Sequence, residues 1–154
     1  MPEHSIIKAE LDSTSNKTFS LSSLESRYLV MYFYPKDGTP GCTTEAQQFR
    51  DLYPAFLEAE CAVVGVSRDS LRSHENFKAK QELPFELISD GDEQLCSLFS
   101  VIKDKKLYGK AVRGIERSTF VLDQAGAIVR EWRGVKVPDH AQEVLDFVKT
   151  LATA

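Results

Sequence analysis

Seven consecutive residues, Tyr28-Leu29-Val30-Met31-Tyr32-Phe33-Tyr34, are apolar or aromatic, and Pro35 ends the run. A stretch of that length without polar alternation predicts a central strand covered on both faces. Cys61-Ala62-Val63-Val64-Gly65-Val66-Ser67 predicts a second such strand, and Thr119-Phe120-Val121-Leu122-Asp123 a third. The turn Gln124-Ala125-Gly126 then leads into a partner strand over 127–132. Near the N-terminus, polar and apolar positions alternate around Thr14-Ser15-Asn16, the pattern of a strand or hairpin with Phe19 and Leu21 turned inward. Helical spacing fills the gaps, over 40–60, 70–81, 92–99 and 140–152. Pro54 is expected to kink or break the first of these helices.

Strand-helix-strand-helix, then a hairpin and a terminal helix, predicts an α/β fold with a mixed central sheet and helices on both faces. A thioredoxin-like sandwich satisfies that order; periodicity alone also permits another doubly wound fold. The 154 residues fit a single domain over 1–154 with a sizeable core. A composition of 42% hydrophobic and 27% charged residues is that of an ordinary globular chain. The formal charge of −4 argues against a nucleic-acid partner. Its longest basic cluster, Lys103-Asp104-Lys105-Lys106, is interrupted by acid and reads as a solvated loop. No apolar run reaches the roughly 18 residues of a membrane span, and the polar start MPEHSIIKAELDS has no signal-peptide core. A cytoplasmic location is the expectation.

Cys42, Cys61 and Cys96 lie far apart, with no Cys-x-x-Cys, and His4, His74 and His140 have no candidate ligand near them in sequence. Neither a disulfide framework nor a metal site is predicted, which leaves free thiols. Cys42 stands out by position. Thr39 suits a helix N-cap, Pro40 the first helical position, and Gly41 leaves the backbone unobstructed. Cys42 then falls in the first turn, where unpaired N–H groups and the helix dipole favour a thiolate over a thiol. Ala46, Phe49 and Tyr53 follow on the same helical face, so the sulfur leans toward the sheet. A buried structural cysteine would satisfy the same spacing.

The stretch YPKDGTPGC resembles the peroxiredoxin active-site motif Pro-x-x-x-Thr-x-x-Cys, here Pro35, Thr39 and Cys42. The longer YFYPKDGTPGCTTEAQQFRD is similar to the bacterioferritin comigratory protein, or peroxiredoxin Q, subfamily. The likeness continues through SRDS, ISDGDEQLC and GIERSTFVLD, over most of the chain. The resemblance implies a thiol-dependent peroxidase acting on hydrogen peroxide and organic hydroperoxides, with no metal, haem or flavin. Cys42 would be the peroxidatic cysteine and pass through a sulfenic acid. Thr39 would place its hydroxyl beside the sulfur, and Pro35 would shield the pocket from water. Arg117 matches the family's second-site arginine, and Glu45 would orient it.

Two positions depart from the pattern. Gln47 and Lys78 occupy the places where members of the subfamily carry a resolving cysteine. The sulfenic acid must then be met by Cys61, by Cys96, by a second chain or by an outside thiol. The favoured expectation is a one-cysteine enzyme resolved by thioredoxin, glutaredoxin or glutathione, with Cys96 as the alternative resolving thiol. A monomer is expected, since the chain stops soon after Leu151, short of the extension that ring-forming members carry. A peroxide sensor or holdase that uses Cys42 as a switch is a further alternative. A disulfide oxidoreductase is disfavoured because Glu45 stands where its second cysteine would be.

Overall fold

The computed structural model describes residues 8–152, with the backbone alone at 105 and 107. His4 and the first residues of the polar N-terminal stretch lie outside the described residues. Two short strands open the described chain, β1 (Leu11–Ser13) and β2 (Lys17–Phe19), joined by a turn with Ser15 and Asn16 at positive φ. There follow β3 (Tyr28–Phe33), α1 (Pro40–Glu58), β4 (Cys61–Ser67), α2 (Leu71–Gln81), β5 (Leu87–Ser89) and α3 (Gln94–Leu98). The chain continues through β6 (Ile102–Leu107), β7 (Lys110–Ile115), β8 (Ser118–Asp123), β9 (Ile128–Arg133) and α4 (His140–Ala152).

Seven strands form one sheet in the order β2-β1-β5-β4-β3-β8-β9. β3 runs parallel to β4, and β4 to β5, while β8 is antiparallel to β3. The uninterrupted apolar run of β3 is explained by its central place. Val30, Tyr32 and Tyr34 face one core, with Phe49 and Phe56 of α1, Phe77 of α2 and Val144 and Val148 of α4. The alternate residues Leu29, Met31 and Phe33 face a second core, with Leu95 and Cys96 of α3, Phe99 and Phe120. Gly65 of β4 lies under Tyr32, and a Cβ there would come within 2.9 Å of the Tyr32 ring. The aromatic side chain fills the space that the glycine leaves.

Register places the functional end of the sheet. Phe33, the last residue of β3, pairs with Val66 on one side and Ser118 on the other. The loop after β3 and the residue before Ser118, which is Arg117, therefore meet at one edge of the sheet.

Three sequence expectations need correction. Of the kink or break expected at Pro54, the break does not occur: α1 runs continuously from 40 to 58. Pro54 is on the exposed side of the helix, where solvent can take the place of its missing N–H. The segment read as a solvated loop around Lys103 is instead the ribbon β6–β7, turning at Tyr108 and Gly109, both at positive φ. Lys103, Asp104, Lys106, Lys110, Ala111 and Arg113 are all exposed, so no apolar alternation marked the strands. The helix expected over 92–99 contracts to the five residues of α3.

Candidate active site

Tyr34 donates its N–H to the Val66 carbonyl, and Pro35 then ends the pairing because it has no N–H to give. Pro35 is exposed at this edge. Thr39 precedes α1 in extended conformation and Pro40 starts the helix, as expected. Thr39 does not cap with its side chain, however. Its hydroxyl donates to the Lys36 carbonyl at 2.9 Å, inside the loop, while its own carbonyl accepts from Thr43 N–H.

Cys42 sits in the first turn with only 1% of its surface exposed. Arg117 reaches it from the start of β8, with Nη2 at 3.3 Å from Sγ. The same guanidinium donates through Nη1 to Glu45 Oε1 at 2.6 Å. Glu45 is one helical turn past Cys42 and is itself 1% exposed. Cys42, Glu45 and Arg117 are thus brought together, and the arginine bridges sulfur and carboxylate. Its backbone is fixed by Val135 N–H, which donates to the Arg117 carbonyl at 2.9 Å.

The electrostatics follow from burial. Removal from water pushes the Glu45 carboxyl up to about 7, although the Arg117 charge and hydrogen bond pull the other way. Burial acts to lower the pKa of Arg117, but Glu45 and Cys42 more than offset it, and the guanidinium is held more firmly protonated than usual. Gly41 has a part that the sequence did not reveal. A Cβ at this position would be 3.3 Å from Arg117 Nη2, so the absence of a side chain opens the lane to Cys42. Gly41→Ala should push the guanidinium back by a few tenths of an ångström and slow peroxide reduction by about 3- to 10-fold. Stopped-flow oxidation kinetics would measure this, and an unchanged rate would show that the lane has slack.

The other thiols are elsewhere. Cys61 pairs with Tyr28, five residue steps from Phe33 along β3, or roughly 16 Å at the rise of a strand. Burial pushes its thiol up to about 12. Cys96 belongs to the second core, across the sheet from Cys42, and burial raises its thiol further still. All three cysteines are free. Gln47 donates to Gln81 Oε1 at 2.9 Å, and Lys78 lies 3.7 Å from Glu86. His74 is brought against Asp37 and Asp69, which lie apart from it in sequence, with candidate ligand atoms within 4.8 Å of one another. Those of Asp37 and His74 are taken up by hydrogen bonds within the protein, as is the Asp69 oxygen that faces Asp37 N–H.

A first-turn cysteine under an arginine, at the end of a central strand in a mixed sheet, defines a class. Residues 2–131 match the AhpC/TSA family, and the chain belongs to it: it is a thiol-dependent peroxidase that reduces peroxide at the expense of a thiol. Within that family it falls among the peroxiredoxins of the bacterioferritin comigratory, or Q, group. It is 55% identical to Peroxiredoxin Bcp of Xanthomonas campestris pv. campestris over 133 residues, 86% of this chain and 83% of that one. With Peroxiredoxin Bcp of Bacillus subtilis the identity is 48% over 143 residues, 93% and 91% of the two chains. The solved structure of Xanthomonas campestris peroxiredoxin Q superposes with a TM-score of 0.91 at 50% identity, covering 97% of this chain and 94% of that one. The thioredoxin-like mixed sheet expected from element order is the fold of these proteins. No helix among the described residues is long and apolar enough to cross a membrane.

Proposed function

We propose that Cys42 is the peroxidatic residue and that Arg117, Glu45, Thr39 and Pro35 complete its site. The carrying observation is the bridging guanidinium, 3.3 Å from Sγ through one nitrogen and 2.6 Å from a buried carboxylate through the other. The Cys42 thiolate attacks the terminal oxygen of a hydroperoxide. An S–O bond forms as the O–O bond breaks, and the sulfur becomes a sulfenic acid. The alkoxide or hydroxide leaves and takes up a proton, so the peroxide gains the two electrons that the sulfur loses. Arg117 stabilises charge on both the attacking sulfur and the departing oxygen, at a site largely removed from water. Glu45 fixes the fork through Nη1 and leaves Nη2 for the reaction. The Thr39 O–H donates its hydrogen bond to the Lys36 carbonyl, so toward a peroxide its oxygen is an acceptor, fit to take a hydrogen bond from the O–H of the substrate. Pro35 ends the β3–β4 ladder at the rim and limits the approach of water.

Alkyl hydroperoxides belong to the substrate class alongside hydrogen peroxide. Support comes from a related Xanthomonas campestris bacterioferritin comigratory protein whose alkyl peroxide reduction was followed in trapped intermediate and ligand complexes. The cycle closes through an outside thiol, from thioredoxin, glutaredoxin or glutathione in a reducing compartment such as the cytoplasm. That thiol attacks the sulfenic sulfur, releases water and leaves a mixed disulfide for a second thiol to reduce. The reading is of a single-domain monomer and a one-cysteine enzyme; the one-cysteine part is supported by the place of Cys61 at the start of β4, beside the far end of β3, and of Cys96 across the sheet. Disulfide formation needs Cα atoms within about 7 Å. After one equivalent of peroxide, mass spectrometry should find a gain of about 16 Da on the Cys42 peptide, or its adduct with added glutathione. A disulfide joining Cys42 to Cys96 would overturn outside resolution while leaving the peroxidase reading intact.

A further inference from the structure

Beside the reacting residues lies a second polar cluster that takes no part in the bond changes above. Asp37 is in the loop 35–39 between β3 and α1, and its side chain is 5% exposed. Its Oδ1 accepts from the Tyr34 hydroxyl at 2.6 Å, and its Oδ2 accepts from Ser73 Oγ at 2.9 Å. The same Oδ2 faces Nδ1 of His74 at 2.7 Å, and His74 is fully buried. The other ring nitrogen, Nε2, faces the Ile88 carbonyl at 2.9 Å.

Donor and acceptor balance settles the roles. A carbonyl oxygen only accepts, so Nε2 carries a proton. Burial alone would raise the Asp37 pKa, but the hydrogen bonds of His74 and Tyr34 and the His74 charge lower it overall, which keeps a carboxylate there. Nδ1 faces the carboxylate, so the ring is held through both nitrogens between β5 and the loop. The backbone is tied separately: Asp37 N–H donates to Asp69 Oδ2 at 2.9 Å, and Ser67 Oγ donates to that same oxygen at 2.6 Å.

These ties converge on one loop residue. Thr39 is oriented by the Lys36 carbonyl, a neighbour inside the same loop, so its placement is inherited from whatever fixes the loop. At Gly38, φ +78°, the space where a Cβ would project is open, so no side-chain packing there holds the loop. Buried polar contacts of this kind add little net stability, while their hydrogen bonds restrict where the loop can sit. An error of about 1 Å in placing a reacting group can cost roughly 100-fold in rate.

We infer that the Asp37–His74 pair is a positioning device that sets the loop bearing Pro35 and Thr39 against the peroxide, separately from the activation of the sulfur by Arg117. This rests on the reading of Cys42 as the peroxidatic residue. The pair governs how well a peroxide is held and leaves the nucleophile itself unchanged.

The experiment compares two reactions of Cys42 in the reduced full-length protein: oxidation by hydrogen peroxide, and alkylation by iodoacetamide, which needs no peroxide-binding geometry. Asp37→Ala should slow oxidation by about 10- to 100-fold while alkylation stays within about 3-fold or becomes faster. His74→Asn, whose amide can donate near the place of Nδ1, should recover most of the rate lost in His74→Ala. Ser73→Ala removes a single donor, and should show the same divergence on a smaller scale even where Asp37→Ala fails to fold. Oxidation within about 3-fold of wild type in folded Asp37→Ala, or alkylation that falls in step with oxidation, overturns the positioning role. A wild-type protein that forms no sulfenic acid at Cys42 rejects the underlying site instead, so the two failures are distinct.

Discussion

Replacing Arg117 by leucine is expected to slow oxidation of Cys42 by peroxide about 10²- to 10³-fold, the usual cost of removing one preorganised donor from developing charge. The guanidinium donates to Sγ, and among the described residues no other side chain does so. Arg117→Lys should recover little, because an ammonium cannot bridge sulfur and carboxylate with two fixed nitrogens. The same variant carries a second signature, in stability. Glu45 is 1% exposed and would lose the partner that now sits 2.6 Å from Oε1. Its folded-state pKa is already raised from 4.5 to about 7, so the folded protein holds more protons than the unfolded chain between those values, and stability falls as pH rises through that window. Without the Arg117 charge the carboxyl moves higher, and the loss extends further into alkaline solution. Thermal unfolding of Arg117→Leu against wild type should show a deficit that grows with pH above neutrality. A pH-independent deficit would mean that Glu45 is not the group left stranded.

Cys42→Ser is expected to reduce peroxide turnover to background in a thiol-coupled assay and to abolish labelling by a sulfenic acid probe. A hydroxyl is neither ionised near neutrality nor able to reach the sulfenic state, so the loss is complete and does not scale with peroxide. The double variant Cys61→Ala/Cys96→Ala is the matching control. Both thiols are fully buried and pushed well above the range in which thiolates form, so neither competes for peroxide. Oxidation of Cys42 and turnover with excess dithiothreitol should persist in it. Turnover retained by Cys42→Ser would remove the basis of the proposed site, and turnover lost by the double variant would assign resolution to one of the buried thiols.

The central strands were legible because burial on both faces leaves a strong one-dimensional trace, as in the run from Tyr28 to Tyr34. The reactive helix was legible because Pro40 marks its start, although the Thr39 hydroxyl expected to cap it turns into the loop instead. The ribbon β6–β7 left no such trace, since most of its residues face water and hydrophobic contrast is what a periodicity reading detects. The pairing of Asp37 with His74 was hidden for a different reason. Thirty-seven residues separate them, and only the parallel pairing of β3 with β4 brings α2 over the loop. Gly41 read as leaving the backbone unobstructed at the helix start, yet its tight fit is to the side chain of Arg117, the residue before β8. Contacts of this kind depend on register, which a single sequence does not display.

The separation of Cys42 from both other thiols has a consequence for how long each molecule survives in use. Under the proposed outside resolution, the oxidised sulfur faces two competing fates: capture by an incoming reductant, or attack by a second peroxide that carries it to the irreversible sulfinic state. The winner then depends on the ratio of thiol to peroxide outside the protein, so inactivation should track oxidant dose during reductant shortage.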